Sequence, residues 1–173
     1  KIKVVRKKEG FMRVTFTGMR RAKLAKLYDS KELMYADVIP LTDSYGDKSE
    51  EYALVKKVVD KLEGMTQVAA VFPPEVVQQL SLGVNAESLG DQFGQYFSLF
   101  DQATRQRLLE TTNVNDRLML IVEELEKQQR YSELETVIND RVKERIDDGQ
   151  KEYYLREKLK AIKEELGDVS NMT

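Results

Sequence analysis

Alternating apolar and polar residues indicate β-structure over the first forty positions. Two alternating runs at residues 1–5 and 12–17 flank a polar turn at residues 7–10. This pattern predicts a hairpin with one buried face and one solvated face. Similar runs at residues 20–28 and 33–41 follow. The sequence therefore predicts one small antiparallel meander.

A sheet of so few strands is only marginally stable on its own, and Lys1 already lies inside an alternating run. We therefore expect further strands before Lys1, in a chain that is a piece of a longer protein. The roles of Met12 and Met19 stay open at this point. Methionine serves both in cores and in adaptable surfaces, including surfaces that bind unfolded chains.

After a polar segment at residues 42–49, which we interpret as a domain boundary, the spacing of apolar residues becomes helical. Residues 52–62 carry apolar side chains three or four positions apart. Further short helices are predicted after a Pro-Pro pair and after Asn85 and Asp101, which are good N-cap residues. Together these segments predict a compact helical bundle.

The last third of the chain favours one long helix, because residues 114–166 contain no proline. Apolar residues at 118–125 can pack on the bundle, whereas a four-three-four spacing further on is typical of a coiled coil. A continuous helix would extend about 80 Å at 1.5 Å per residue, more than one small domain covers. We therefore predict a partner or assembly seam, formed by Tyr153, Tyr154, Leu155, Leu159, Ile162 and Leu166.

Two details of this helical part stay open. The adjacent tyrosines either pack in the coiled coil or form a platform for a peptide. Gly149 costs about 1 kcal/mol relative to alanine in a helix, so it is the predicted hinge between two helical segments. Gly90 and Gly94 are likewise expected to loosen their helix.

These patterns predict an α+β fold. It begins with a small antiparallel β-sheet subdomain, truncated at its N-terminus, and continues as an α-helical bundle. The bundle ends in a long extended helix with coiled-coil character. The expected domains are residues 1–45 for the β-rich part, 46–125 for the bundle and 126–173 for the long helix.

The composition and charge of the chain limit the classes of binding partner that we expect. The formal net charge is −2 with basic and acidic residues interleaved, so no nucleic-acid partner is expected. A local run of lysine and arginine at residues 1–8 is interpreted as a solvated strand face. No apolar run approaches the ~20 residues that span a bilayer, so no membrane partner is expected either. The absence of cysteine fits a reducing compartment.

Few residues of the chain are candidates for catalysis, phosphate binding or metal binding. The chain has no histidine and no cysteine, which removes the commonest general base, thiol nucleophile and zinc ligands. The segment at residues 46–49 lacks the glycine that precedes the lysine of a phosphate-binding loop. We therefore predict no catalytic, cofactor-binding or metal-binding residues in this chain.

Three segments resemble a known family. Residues 150–167, which read QKEYYLREKLKAIKEELG, are similar to the segment that joins the N-terminal region of Lon proteases to their ATPase module. Residues 108–118 resemble that family's bundle at the start of the long helix, and residues 16–22 resemble its β-domain motif. The segments occur in the family's order. The chain thus resembles the N-terminal region of a bacterial-type ATP-dependent Lon protease, with the start of the linker helix.

The resemblance implies a hexameric parent that uses ATP and Mg²⁺ in a separate module and cuts proteins with a Ser-Lys dyad. For the chain itself it implies a non-catalytic role in binding unfolded or damaged proteins and in homo-oligomer assembly. A bacterial cytoplasm is the expected location, with the mitochondrial matrix as the alternative. Two other roles remain open: a purely structural oligomerisation or spacer region, and a stand-alone relative of the Lon N-terminal domain.

Overall fold

The computed structural model describes residues 1–65 and 71–170. It confirms the α+β class, with two small antiparallel sheets followed by helices and a long final helix. The strands are β1 (Ile2–Lys8), β2 (Phe11–Phe16), β3 (Ala22–Asp29) and β4 (Met34–Pro40). The helices are α1 (Lys48–Glu63), α2 (Pro74–Leu82), α3 (Ala86–Tyr96), α4 (Gln102–Glu110) and α5 (Val114–Ser170).

The first hairpin closes through a two-residue turn. Glu9 and Gly10 both have positive φ, 41° and 83°, which matches the right-handed twist of the flanking strands. β1 and β2 then pair antiparallel, with a register shift between Ile2 and Val4 that brings Ile2 opposite Phe16. The predicted turn at residues 7–10 is confirmed.

The predicted single meander is wrong, because β1–β2 and β3–β4 form two separate two-stranded sheets. The segment between them does not turn back onto β2. Instead, Arg21 at its end is held by the bundle, donating to the carbonyl of Leu109 at 3.0 Å and to Asp91 at 2.6 Å. The predicted buried sheet face is also absent among the described side chains, since Phe16 is 74% exposed.

The hydrophobic core lies in the helical bundle and in the first turns of α5. Four phenylalanines, Phe72, Phe93, Phe97 and Phe100, form its centre, with ring centroids 4.5–5.8 Å apart. Each fully buried side chain of this size stabilises the fold by about 1.5–3 kcal/mol. Other fully buried positions are Val58, Leu89, Leu108, Val114, Leu118 and Ile121.

Local capping explains where the bundle helices begin. The side chain of Asp47 accepts from the Glu50 amide at the start of α1. Asn85 accepts from Ser88 at 2.8 Å, and Asp101 accepts from Thr104 at 2.7 Å. The predicted caps of α3 and α4 are therefore confirmed.

Helix α5 belongs to two compact units. The first unit is Lys1–Leu125, and the second begins at Glu126. α5 continues through Gly149, so the expectation of two separate helical segments is wrong: the modest cost of one glycine does not interrupt a run of strong helix formers. Whether the helix bends at Gly149 stays a prediction, as do the domain bounds 1–45, 46–125 and 126–173.

Candidate functional site

An ion-pair network around the buried Arg117 joins the second hairpin to the bundle. The wholly buried Arg117 side chain donates to Asp43 at 2.7 Å and to the carbonyl of Thr111 at 3.0 Å. Arg21 lies 3.8 Å from the same Asp43 carboxylate and 2.6 Å from Asp91. The network thus connects the start of β3 to α3 and α5, and it holds the second hairpin against the bundle.

Gly90 makes room for this network. A Cβ at Gly90 would lie 2.2 Å from Cδ of Arg117, closer than real contacts allow. Gly94, on the same helix, has only an ordinary 4.0 Å neighbour. Gly90 is therefore a close-packing position, not the loosening element that the sequence suggested.

The polar segment predicted as a boundary is tied to the start of α5. The Val114 amide donates to the carbonyl of Ser44 at 2.9 Å, and the Ser44 amide donates to Thr112 at 3.0 Å. The buried Asn115 donates to the carbonyl of Asp47 at 3.0 Å. These bonds fix the segment that leads from β4 into α1.

Both hairpins leave their apolar side chains in solvent. In the second hairpin, Leu24 pairs with Val38 and Leu27 pairs with Ala36 on one sheet face. The non-tyrosine apolar residues of the two hairpins and of the segment that joins them form what we call the hairpin surface where they are more than half exposed. They are Ile2, Val5, Phe11, Met12, Phe16, Met19, Leu24, Leu27, Leu33, Met34, Val38 and Ile39.

Soluble monomers rarely leave large apolar patches uncovered, so the hairpin surface is a candidate for contact with other protein segments. Met12 and Met19 are part of it, since both are exposed in this structure, and their role in binding unfolded chains stays a prediction. Their flexible thioether side chains adapt to partners of varied shape.

The predicted seam residues all lie on the exposed part of α5. Leu155 is 54% exposed, and its four-three-four spacing with Leu159, Ile162 and Leu166 keeps these residues on one side of the helix. Tyr154 has the ammonium of Lys158 5.9 Å from its ring centroid. The structure does not bring Tyr153 into the Leu155–Leu166 stripe, and the role of the seam stays a prediction.

Sequence reasoning missed two features. Arg117 is a buried cation among apolar positions, and its place directly before the apolar stripe of α5 was the available signal. The second feature is the exposure of an apolar row on α5 between residues 118–125 and the predicted seam. Its members, Leu134, Ile138, Val142 and Ile146, are each about half exposed.

The described residues show no metal centre and no membrane span. Within residues 1–65 and 71–170, no three carboxylates lie close enough to hold a metal ion together. In the same part of the chain, no helix combines the length and apolar character that crossing a bilayer requires.

A pair of exposed apolar hairpins on a capped helical bundle defines an α+β binding module. Comparison with known proteins identifies the module: residues 1–127 match the model of the ATP-dependent protease La (LON) substrate-binding domain. The chain therefore belongs to the Lon substrate-binding domain family.

Curated relatives extend the likeness into the long helix. The chain is 31% identical over 163 residues to the Lon protease of Escherichia coli K12, covering 94% of this chain and 21% of that protein. It is 32% identical over 165 residues to the Lon protease of Buchnera aphidicola subsp. Schizaphis graminum, covering 95% of this chain and 21% of that protein. It is 34% identical over 159 residues to the Lon protease of Syntrophomonas wolfei, covering 92% of this chain and 20% of that protein. The chain spans about a fifth of the length of these relatives.

Proposed function

We propose that this chain is a non-catalytic module that captures unfolded or damaged proteins for a Lon-type ATP-dependent protease. The hairpin surface carries this proposal. Unfolded proteins have no common sequence, so they are best held by weak apolar contacts that tolerate varied side chains. The family's description as a substrate-binding domain supports the same role.

The bundle supplies a rigid base for these contacts. Arg21 and Arg117 fix the second hairpin to the bundle through Asp43 and Asp91. A surface held in this way loses little conformational freedom when a chain binds. Linking several copies in one assembly raises the effective concentration of the binding surfaces, so weak single contacts become sufficient.

Binding to a permanently unfolded protein tests the proposal. A fluorescently labelled protein, reduced and alkylated so that it cannot refold, is titrated with the chain and followed by anisotropy. The variants Phe16→Ser and Met34→Ser remove exposed side chains from the hairpin surface, so they should weaken binding with little effect on stability. Leu82→Ser is the matched control, because Leu82 is 81% exposed at the end of α2, outside the hairpins.

Equal losses in all three variants, or no binding of the unfolded protein, would contradict the proposal. The native form of the same protein should not bind. The chain alone should neither hydrolyse ATP nor cleave the bound protein. In the proposed parent, ATP, Mg²⁺ and the Ser-Lys dyad belong to other modules, and the setting is the cytoplasm of a bacterium.

Homo-oligomer assembly is a second candidate function, favoured by the exposed apolar residues of the seam. Assembly into a hexamer in the parent would cover Leu155, Leu159, Ile162 and Leu166. Light scattering on the chain with and without residues 151–166 tests this. Loss of association without that segment supports assembly through the seam, whereas equal masses contradict it. Association that depends on the seam, with no binding of unfolded protein in either form, would favour the purely structural role.

A further inference from the structure

A strap of chain leads from the second hairpin (β3–β4) into α1, and we define it as residues 43–47. Its Ser44 exchanges two backbone hydrogen bonds with the start of α5. The Ser44 amide donates to the carbonyl of Thr112 at 3.0 Å, and the Val114 amide donates to the carbonyl of Ser44 at 2.9 Å. The first amides of a helix have no acceptor within the helix itself. The strap therefore supplies an acceptor for the first residue of α5, and α5 in turn fixes the strap.

The remainder of the strap is held as closely by α3 and α5. The Tyr45 hydroxyl donates to the carboxylate of Glu87 on α3. The carbonyl of Asp47 accepts from the buried side chain of Asn115 on α5 at 3.0 Å. Gly46 packs against the same side chain, because a Cβ at Gly46 would lie 2.5 Å from Nδ2 and 2.8 Å from Cγ of Asn115. The strap is thus a fixed connection between its neighbours.

The strap and the base of the second hairpin meet at Asp43. The Asp43 carboxylate accepts from Arg117 of α5 at 2.7 Å and lies 3.8 Å from Arg21, which precedes β3. The chain leaving β4 is held at the same place, because the Leu41 amide donates to the carbonyl of Arg21 at 3.0 Å. Every residue of β3 and β4 is exposed, so the hairpin is not attached to the described bundle through buried side chains. Its attachment lies at its base.

From these contacts we infer that the strap couples the second hairpin to the first turns of α5, so that the two open together as one cooperative unit. Units of this kind open locally, at a lower free energy than the whole protein. The hydrogen bonds of the strap reach α5 without involving the four core phenylalanines. Coupling of this kind is reciprocal, so loosening either end loosens the other.

A protein segment bound to the second hairpin would, through this coupling, also stabilise the start of α5, which continues out of the bundle into the second unit. That effect rests on the proposed capture function. The coupling itself needs no bound segment, so it can fail while the capture function stands.

Gly46→Ala tests the coupling, because it changes neither the hairpin nor α5 in sequence. The added methyl group would displace Asn115 and loosen the strap. Native-state hydrogen exchange of the 173-residue chain, measured by NMR, follows the hairpin through the interstrand amides of β3 and β4 and follows α5 through the Arg117 amide. Both should exchange about tenfold faster, the change in opening equilibrium expected when a methyl group enters a packed site. Gly18→Ala is the matched control and should change neither rate, since nothing lies within 4 Å of its Cβ.

Arg21→Met tests the coupling from the hairpin side. It removes the ion pairs that hold the base of the hairpin at Asp43 and Asp91, and it leaves the strap and α5 unchanged in sequence. The Arg117 amide should again exchange about tenfold faster, as expected for the loss of a hydrogen bond between charged groups. Lys23→Met is the matched control, because it removes a positive charge from an exposed position of β3 and should change that rate little.

Three results would overturn the inference. The first is faster exchange of the hairpin with an unchanged Arg117 amide, which would show that the two open independently. The second is an equal rise at the core amide of Phe97, which donates to the carbonyl of Phe93 at 3.1 Å, because that would show global unfolding. The third is unchanged exchange in both variants. If Gly46→Ala does not fold, Arg21→Met decides by the same three criteria.

Discussion

Gly90→Ala tests the buried network most sharply. Alanine normally stabilises a helix interior by about 1 kcal/mol relative to glycine. Here the new Cβ would lie 2.2 Å from Cδ and 3.0 Å from Cγ of Arg117. Arg117 cannot move freely, since Asp43 and the carbonyl of Thr111 hold its guanidinium at 2.7 and 3.0 Å.

The expected cost follows from these contacts. Inserting a methyl group into a packed site costs about 1–3 kcal/mol. Breaking a buried ion pair completely costs about 3–5 kcal/mol. Partial displacement of Arg117, offset by the gain in helix propensity, gives a net loss of about 2–4 kcal/mol in the free energy of unfolding.

Hydrogen exchange of the α3 and α4 amides measures this loss locally, separately from the exposed part of α5. Gly94→Ala is the matched control on the same helix, because its Cβ would meet Leu108 at an ordinary 4.0 Å. Gly94→Ala should slow the exchange of these amides, because it should raise the free energy of local opening by up to about 1 kcal/mol. If Gly90→Ala slows exchange as much as Gly94→Ala does, the packing argument is wrong.

Three further predictions concern single residues. Gly149→Ala should raise the helical signal in circular dichroism, since no atom crowds its Cβ; an unchanged signal would refute Gly149 as a weak point of α5. Asn85→Ala should destabilise α3 by about 1 kcal/mol, measured by urea unfolding, because Ser88 loses its 2.8 Å acceptor; no change would contradict the cap. The hydrogen bond to Glu87 raises the pKa of Tyr45 above 10.0, so its stabilising contribution is present below pH 10 and is lost as pH rises through the raised value. Tyr45→Phe should therefore reduce the loss of stability above pH 10, and identical pH profiles would contradict this.

Local signals made much of the fold predictable. The side chains of Asn85 and Asp101 accept hydrogen bonds from backbone amides three residues away. The turn at Glu9-Gly10 is set by the positive φ angles of these two residues. Such features need no information about distant parts of the chain. The helical periodicity of residues 52–62 likewise predicts α1, although its buried face is formed by Leu54, Val58 and Leu62 while Tyr52 is 74% exposed.

Long-range contacts explain what the sequence did not predict. Arg21, which lies between the two hairpins, is anchored by Asp91, seventy positions away. The role of Gly90 depends on Arg117, which becomes its neighbour only when α3 packs beside α5. Helix and strand propensities and the spacing of apolar residues describe local structure only, so they predict neither contact. The exposed hairpin surface was equally hidden, because alternation predicts two faces but not what covers them.

The central claim, capture of unfolded chains by the hairpin surface, is tested most directly by locating the contact. An unfolded protein with photoactivatable side chains is crosslinked to the chain, and the crosslinked residues are mapped by mass spectrometry. Our account predicts that crosslinks concentrate in residues 2–39 and disappear when unlabelled unfolded protein competes. Crosslinks confined to residues 126–170, or insensitive to competition, would contradict it.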